Sequence, residues 1–129
     1  MAVTVLHTGD LHLGSPLRAL SGASGDIGER LARATQESFR RIVTVALDRA
    51  VDAVVVAGDL YDRESRSVRA NDFLRDQLER LATADIPCFV VHGNHDPLGE
   101  GAEHLDLPEN THVFPAAEVE SVAVPDAAD

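Results

Sequence analysis

The sequence predicts an α/β fold in which helical crossovers join parallel strands, and three observations carry that prediction. Three short apolar runs each lead to a glycine: Val3-Thr4-Val5-Leu6-His7 before Thr8-Gly9, Ala53–Ala57 before Gly58, and Cys88-Phe89-Val90-Val91-His92 before Gly93. Two longer stretches between them repeat apolar residues at helical spacing. The resulting order is strand, helix, strand, helix, strand, the pattern of two right-handed crossovers.

The strands are rich in Val with little alternation, which fits coverage on both faces, and the glycines fit sharp exits. The first helix is read from Ile27 to Ala50, with Ile27, Leu31, Ala34, Phe39, Ile42 and Ala46 on one face. Asp26 is its expected N-cap, and Arg30, Arg33, Glu37, Arg40 and Arg41 fill the other face. The second helix is read from about Ser67 to Ala84, with Ala70, Leu74, Leu78 and Leu81 inward, and it ends before Pro87. Residues 17–25 read as a loop. After Pro97 the pattern thins: His112–Phe114 and Val119–Val124 are expected short strands, and Pro125–Asp129 a frayed end.

At 129 residues the chain fits one domain, 1–129, with an acidic, poorly ordered tail expected from about 115. Its 44% hydrophobic and 26% charged residues exclude wholesale disorder. The longest unbroken apolar run, Ala53–Ala57, is far below the ~18 residues of a membrane span. The amino terminus lacks the basic region and cleavage site of a secretory signal, so a cytoplasmic protein without membrane contact is expected. A single cysteine, Cys88, excludes an internal disulfide and a multi-cysteine zinc knuckle; it reads as a small core residue.

The net charge of −11 is unevenly placed. Residues 1–52 are neutral, with six Arg against six acids, whereas residues 100–129 carry eight acids and no basic residue. No whole-chain basic footprint for passive nucleic-acid binding exists. With no Trp, one Tyr and four Phe, a stacking platform for single strands is also unsupported.

The chemistry concentrates where the three strands end. Ligands in open α/β sheets bind beyond the carboxyl ends of the strands. Those ends carry Asp10 and His12, Asp59 and Asp62, and Asn94 and His95. Carboxylate, imidazole and amide oxygen together suit Mn²⁺, Fe²⁺ or Zn²⁺ better than Ca²⁺. Crowded carboxylates repel one another unless cations lie between them. Two divalent ions sharing a central Asp59 remove that penalty, with Asp10 and His12 approaching one ion and Asn94 the other. His95 is then free to donate a proton to a leaving oxygen. Asp62 and Asp96 are expected around the ligands rather than on the ions, Tyr61 is the aromatic placed to approach a substrate, and His7 and His92 read as buried or supporting histidines.

These residues also carry a resemblance. Gly9-Asp10-Leu11-His12, Gly58-Asp59-Leu60-Tyr61-Asp62 and Gly93-Asn94-His95-Asp96 resemble the first three signature blocks of the calcineurin-like metallophosphoesterases. The wording around them, Asp10-Leu11-His12-Leu13-Gly14 and His92-Gly93-Asn94-His95-Asp96-Pro97-Leu98, resembles the DNA-repair exonuclease branch, the SbcD-type nucleases, and Leu107–Phe114 continues that likeness. The resemblance implies a mixed β-sandwich flanked by helices, of which this chain holds the N-terminal βαβαβ portion. It implies Asp10 and His12 on a first metal, Asp59 bridging, Asn94 on a second metal and His95 near the scissile phosphate. It further implies two divalent ions, Mn²⁺ foremost, and DNA ends as substrate, with a coiled-coil ATPase subunit and a homodimeric arrangement as partners.

The family's later Gly-His-x-His block has no counterpart here, and His104 and His112 are not spaced like it. The expectation is therefore the first part of a longer catalytic domain. Two alternatives stay open: a nucleotide or small-molecule phosphodiesterase, because loops set the substrate, and a non-catalytic truncated module.

Overall fold

The structure, a computed structural model, describes residues 2–11, 13, 25–58, 68–91, 107–115 and 118–124. Among the described residues, four strands form one parallel sheet in the order β1-β2-β3-β4: β1 Val5–Gly9, β2 Ala53–Ala57, β3 Cys88–Val91 and β4 Thr111–Val113. Helix α1, Gly25–Asp48, joins β1 to β2, and α2, Val68–Thr83, joins β2 to β3. This is the expected α/β architecture with a fourth parallel strand added.

The in-register pairing decides which side chains share a face. Leu6 stands beside Val54, Val54 beside Cys88, and Val56 beside Val90, and this face meets the helices. Phe39, Val43 and Ala46 of α1 and Leu74, Leu78 and Leu81 of α2 are buried with them in one cluster, each set spaced i, i+4, i+7. Phe39 meets Phe73 edge-to-face at 6.4 Å where the helices touch. Arg80 closes the same seam, donating to Thr44 Oγ1 at 3.0 Å and to Gln77 Oε1 at 2.8 Å.

The opposite face is covered unevenly. His7, Val55, Phe89 and His112 form one row across all four strands. Phe89 is buried, but Val5 is 47% exposed and Val91 44% exposed. Coverage on both faces therefore holds for most of β3, where Cys88 and Val90 are buried toward the helices and Phe89 on the other side, and not for β1, whose outer residues Val5 and His7 are exposed. His7 is exposed rather than buried.

Several boundaries differ from those expected. The first strand starts at Val5, the first residue in register with β2, although Thr4 O still accepts from the Asp52 N–H at 2.8 Å, and it runs through to Gly9. Helix α1 begins at Gly25, so Asp26 lies in the first turn rather than at the cap. Gly25 itself is helical, and 17–24 lie outside the described residues. Residues 119–124 form no strand: Val119 is 99% exposed, and the segment is tied instead through Glu120, whose carboxylate pairs with His112 Nε2. Pro125–Asp129 lie outside the described residues.

Candidate metal centre

Strand register brings the three glycine-terminated runs to a common edge. Gly9 pairs with Ala57 and Ala57 with Val91, so the last residues of β1, β2 and β3 lie side by side. The ladder extends one step past the strands, because the Asp10 N–H donates to Ala57 O at 3.2 Å and the Gly58 N–H to Val91 O at 2.8 Å. The three strand exits therefore leave from one place, the edge at which parallel α/β sheets bind ligands.

The local backbone there is specialised. Asp10 has φ of 50° and Gly58 has φ of 77°, both in the left-handed region. Asp tolerates that conformation better than most residues, and Gly adopts it freely. A side chain at Gly9 would place its Cβ 2.5 Å from Ala57 O, a distance real structures do not show, so close β1–β2 approach requires glycine. At Gly58, a Cβ would stand 3.0 Å from Asp10 Oδ1. The Asp10 carboxylate thus reaches from the end of β1 across to the first residue beyond β2.

This arrangement tests whether the edge fits a divalent cation. It supplies a hard oxygen donor, exposed, turned toward the neighbouring strand's exit and set where a glycine leaves room for it. Those properties match what Mn²⁺- or Mg²⁺-type ions require of a ligand. Of the metal, catalytic and substrate residues named from the sequence, Asp10 is the one described. His12, Asp59, Tyr61, Asp62, His92, Asn94, His95 and Asp96 lie outside the described residues. Among the described residues no three of His, Cys, Asp and Glu come together.

Two other residues singled out from the sequence find their places. Cys88 is buried on the helix-facing side of β3, and burial pushes its thiol up to about 12, so it is an inert core group. His112 sits on β4, with its ring 4.8 Å from that of Phe114 and its Nε2 paired to Glu120. Sequence reasoning misses that pair, because an eight-residue separation across a loop carries no periodic signal. It also reads Gly58 as a turn residue only, since contact with Asp10 becomes visible only once β1 and β2 are in register.

The model of the calcineurin-like phosphoesterase family matches residues 3–127. The chain belongs to that family. It is 39% identical over 115 residues to an uncharacterized metallophosphoesterase, YhaO, of Bacillus subtilis, covering 89% of this chain and 28% of that protein. It is 38% identical over 112 residues to the DNA double-strand break repair protein Mre11 of Halobacterium salinarum, covering 81% of this chain and 25% of the relative. The Mre11 protein of Haloferax volcanii is 39% identical over 107 residues, with 81% and 22% covered. The chain therefore spans about a quarter of the length of these curated relatives. Membership supports a hydrolase role with divalent metal ions as the family's usual cofactors. Among the described residues, no helix is long and apolar enough to cross a membrane.

Proposed function

We propose that this chain forms the first part of a two-metal phosphodiesterase site acting on DNA ends. The observation that carries the reading is the shared edge itself, where three strand exits lie in register and the Asp10 carboxylate is directed across to the exit of β2. Asp10 and His12 would hold one ion, Asn94 the other, and Asp59 would serve both. When bound, the ions supply Lewis-acid chemistry that neutralises phosphate charge and makes water nucleophilic at neutral pH. His95 donates a proton or hydrogen bond to the leaving oxygen. Asp62, Asp96 and His92 support the ligands, and Tyr61 approaches the substrate.

The preference for DNA rests on the nuclease-like wording of the three blocks and on relatives named as double-strand break repair proteins. Mn²⁺ is the preferred metal, because the donor set mixes carboxylate, imidazole and amide oxygen. A cytoplasmic setting, a coiled-coil ATPase partner and a homodimeric arrangement belong to the same reading.

The test compares end-labelled duplex DNA with a chromogenic phosphodiester, each with Mn²⁺, using the chain and its Asp59→Asn variant. Mn²⁺-dependent release from DNA ends that falls to background in the variant supports the proposal. Cleavage of the small diester alone overturns the DNA assignment in favour of a nucleotide or small-molecule phosphodiesterase. Equal background for both proteins on both substrates overturns catalysis by this chain and favours a non-catalytic module.

A further inference from the structure

We propose that Gly58 is a positioning residue for Asp10: its bare α-carbon is the seat against which the Asp10 carboxylate is set. The proposal rests on the metal-site reading above and adds to it a residue that contributes no ligand atom.

A turn alone accounts for the left-handed φ of 77° at Gly58. It does not account for the group beside that glycine. Among the described residues, the atoms within 4 Å of a Cβ built at position 58 are Asp10 Oδ1, at 3.0 Å, and Asp10 Cγ, at 4.0 Å. The carboxylate is there because β1 is locked to β2: Gly9 permits the close approach, and the Asp10 N–H is tied to Ala57 O at 3.2 Å. Asp10 in turn adopts a left-handed φ of 50°, which turns the chain over the exit of the neighbouring strand. Gly58, anchored by its own N–H to Val91 O at 2.8 Å, is the fixed surface beneath it.

A contact of 3.0 Å is tighter than ordinary van der Waals packing, so any side chain at 58 moves the carboxylate by a few tenths of an ångström. Metal–ligand distances hold within about ±0.2 Å, so a shift of that size matters to a ligand. Gly58 is also bonded directly to Asp59, the residue assigned between the two ions. One glycine therefore joins the seat of one carboxylate to the backbone of the next.

The experiment uses the 129-residue chain with Gly58→Ala, Gly58→Asn and Asp10→Gly, singly and combined. Asn accepts a left-handed backbone but carries a Cβ, so it separates backbone strain from contact with Asp10. Mn²⁺ affinity by titration calorimetry is expected to fall about tenfold or more in both Gly58 variants, the usual scale for residues that orient a ligand. Without metal, the loss in folding equilibrium constant caused by Gly58→Ala is expected to be at least about threefold smaller when Asp10 is already Gly. Wild-type Mn²⁺ affinity in Gly58→Asn, or strictly additive effects in the metal-free cycle, would overturn the positioning role. A chain that binds no Mn²⁺ before any substitution contradicts the metal-site reading instead, and the metal-free cycle still decides the role of Gly58.

Discussion

Asp10 shows how much of a site can rest on one residue's backbone. Its left-handed conformation is disfavoured for most residues, and it is held by an N–H bond to Ala57 and by the glycines on either side of the strand gap. The residue type was legible in the sequence, since an Asp after Gly at a strand end announces itself; its conformation was not, because φ is set by what β2 presents. Cys88 gives the opposite case, a reactive group made inert by its surroundings. Burial disfavours the thiolate, raising the folded thiol to about 12 from an ordinary value of 9.0. Above pH 9 the unfolded chain loses this proton while the folded chain keeps it, so stability falls as pH rises, by up to about 1.4 kcal/mol per unit. Urea unfolding of the chain and of Cys88→Val between about pH 8 and 10.5 is expected to show the variant losing less stability over that range. Parallel curves would contradict the assignment.

At the scale of the element, both helices end by the same device. Ala50 (φ 48°) and Asp85 (φ 57°) turn left-handed just after α1 and α2. Val51 N–H then reaches back to Ala46 O at 3.2 Å and Ile86 N–H to Leu81 O at 2.9 Å, and both Val51 and Ile86 are buried. This is the Schellman arrangement with its hydrophobic contact, and it usually employs Gly at the left-handed position. Ala50→Gly is therefore expected to stabilise the chain by about 0.5–1 kcal/mol in chemical unfolding, the strain relieved at Ala exceeding the added chain entropy. Asp85→Gly should gain less, because Asp tolerates that conformation. An unchanged or lowered midpoint for Ala50→Gly would contradict the cap. The helices themselves were readable from Phe39 and Ala46, and from Leu74 and Leu78, at helical spacing. Their ends were readable to within two residues, Ala50 and Ala84 expected against Asp48 and Thr83 observed; the left-handed caps were not, since neither Ala50 nor Asp85 is the glycine that usually marks one.

For the molecule as a whole, the sequence carried the parallel α/β plan because Val-rich runs alternate with amphipathic helices and each run ends at glycine. The order β1-β2-β3 comes from crossovers repeated in one direction, which also explains why α1 and α2 pack against each other on one face. The extra strand β4 was legible in His112–Phe114, although it starts one residue earlier. Asn110 at its start is held by its Nδ2 donation to Ile86 O at 2.8 Å. Val119–Val124 misled because its valines suggest a strand, yet it joins no ladder among the described residues and Glu120 ties it down through a side chain. The candidate site was legible as residue types at three strand ends; its common edge required the register Gly9–Ala57–Val91.

The central claim is that this edge holds divalent ions, and Mn²⁺ stoichiometry by native mass spectrometry tests it most directly, with Asp59→Asn as control. Two ions on the chain, lost in the variant, are the predicted result. A chain that carries no ion, or the same ions in the variant, would contradict it.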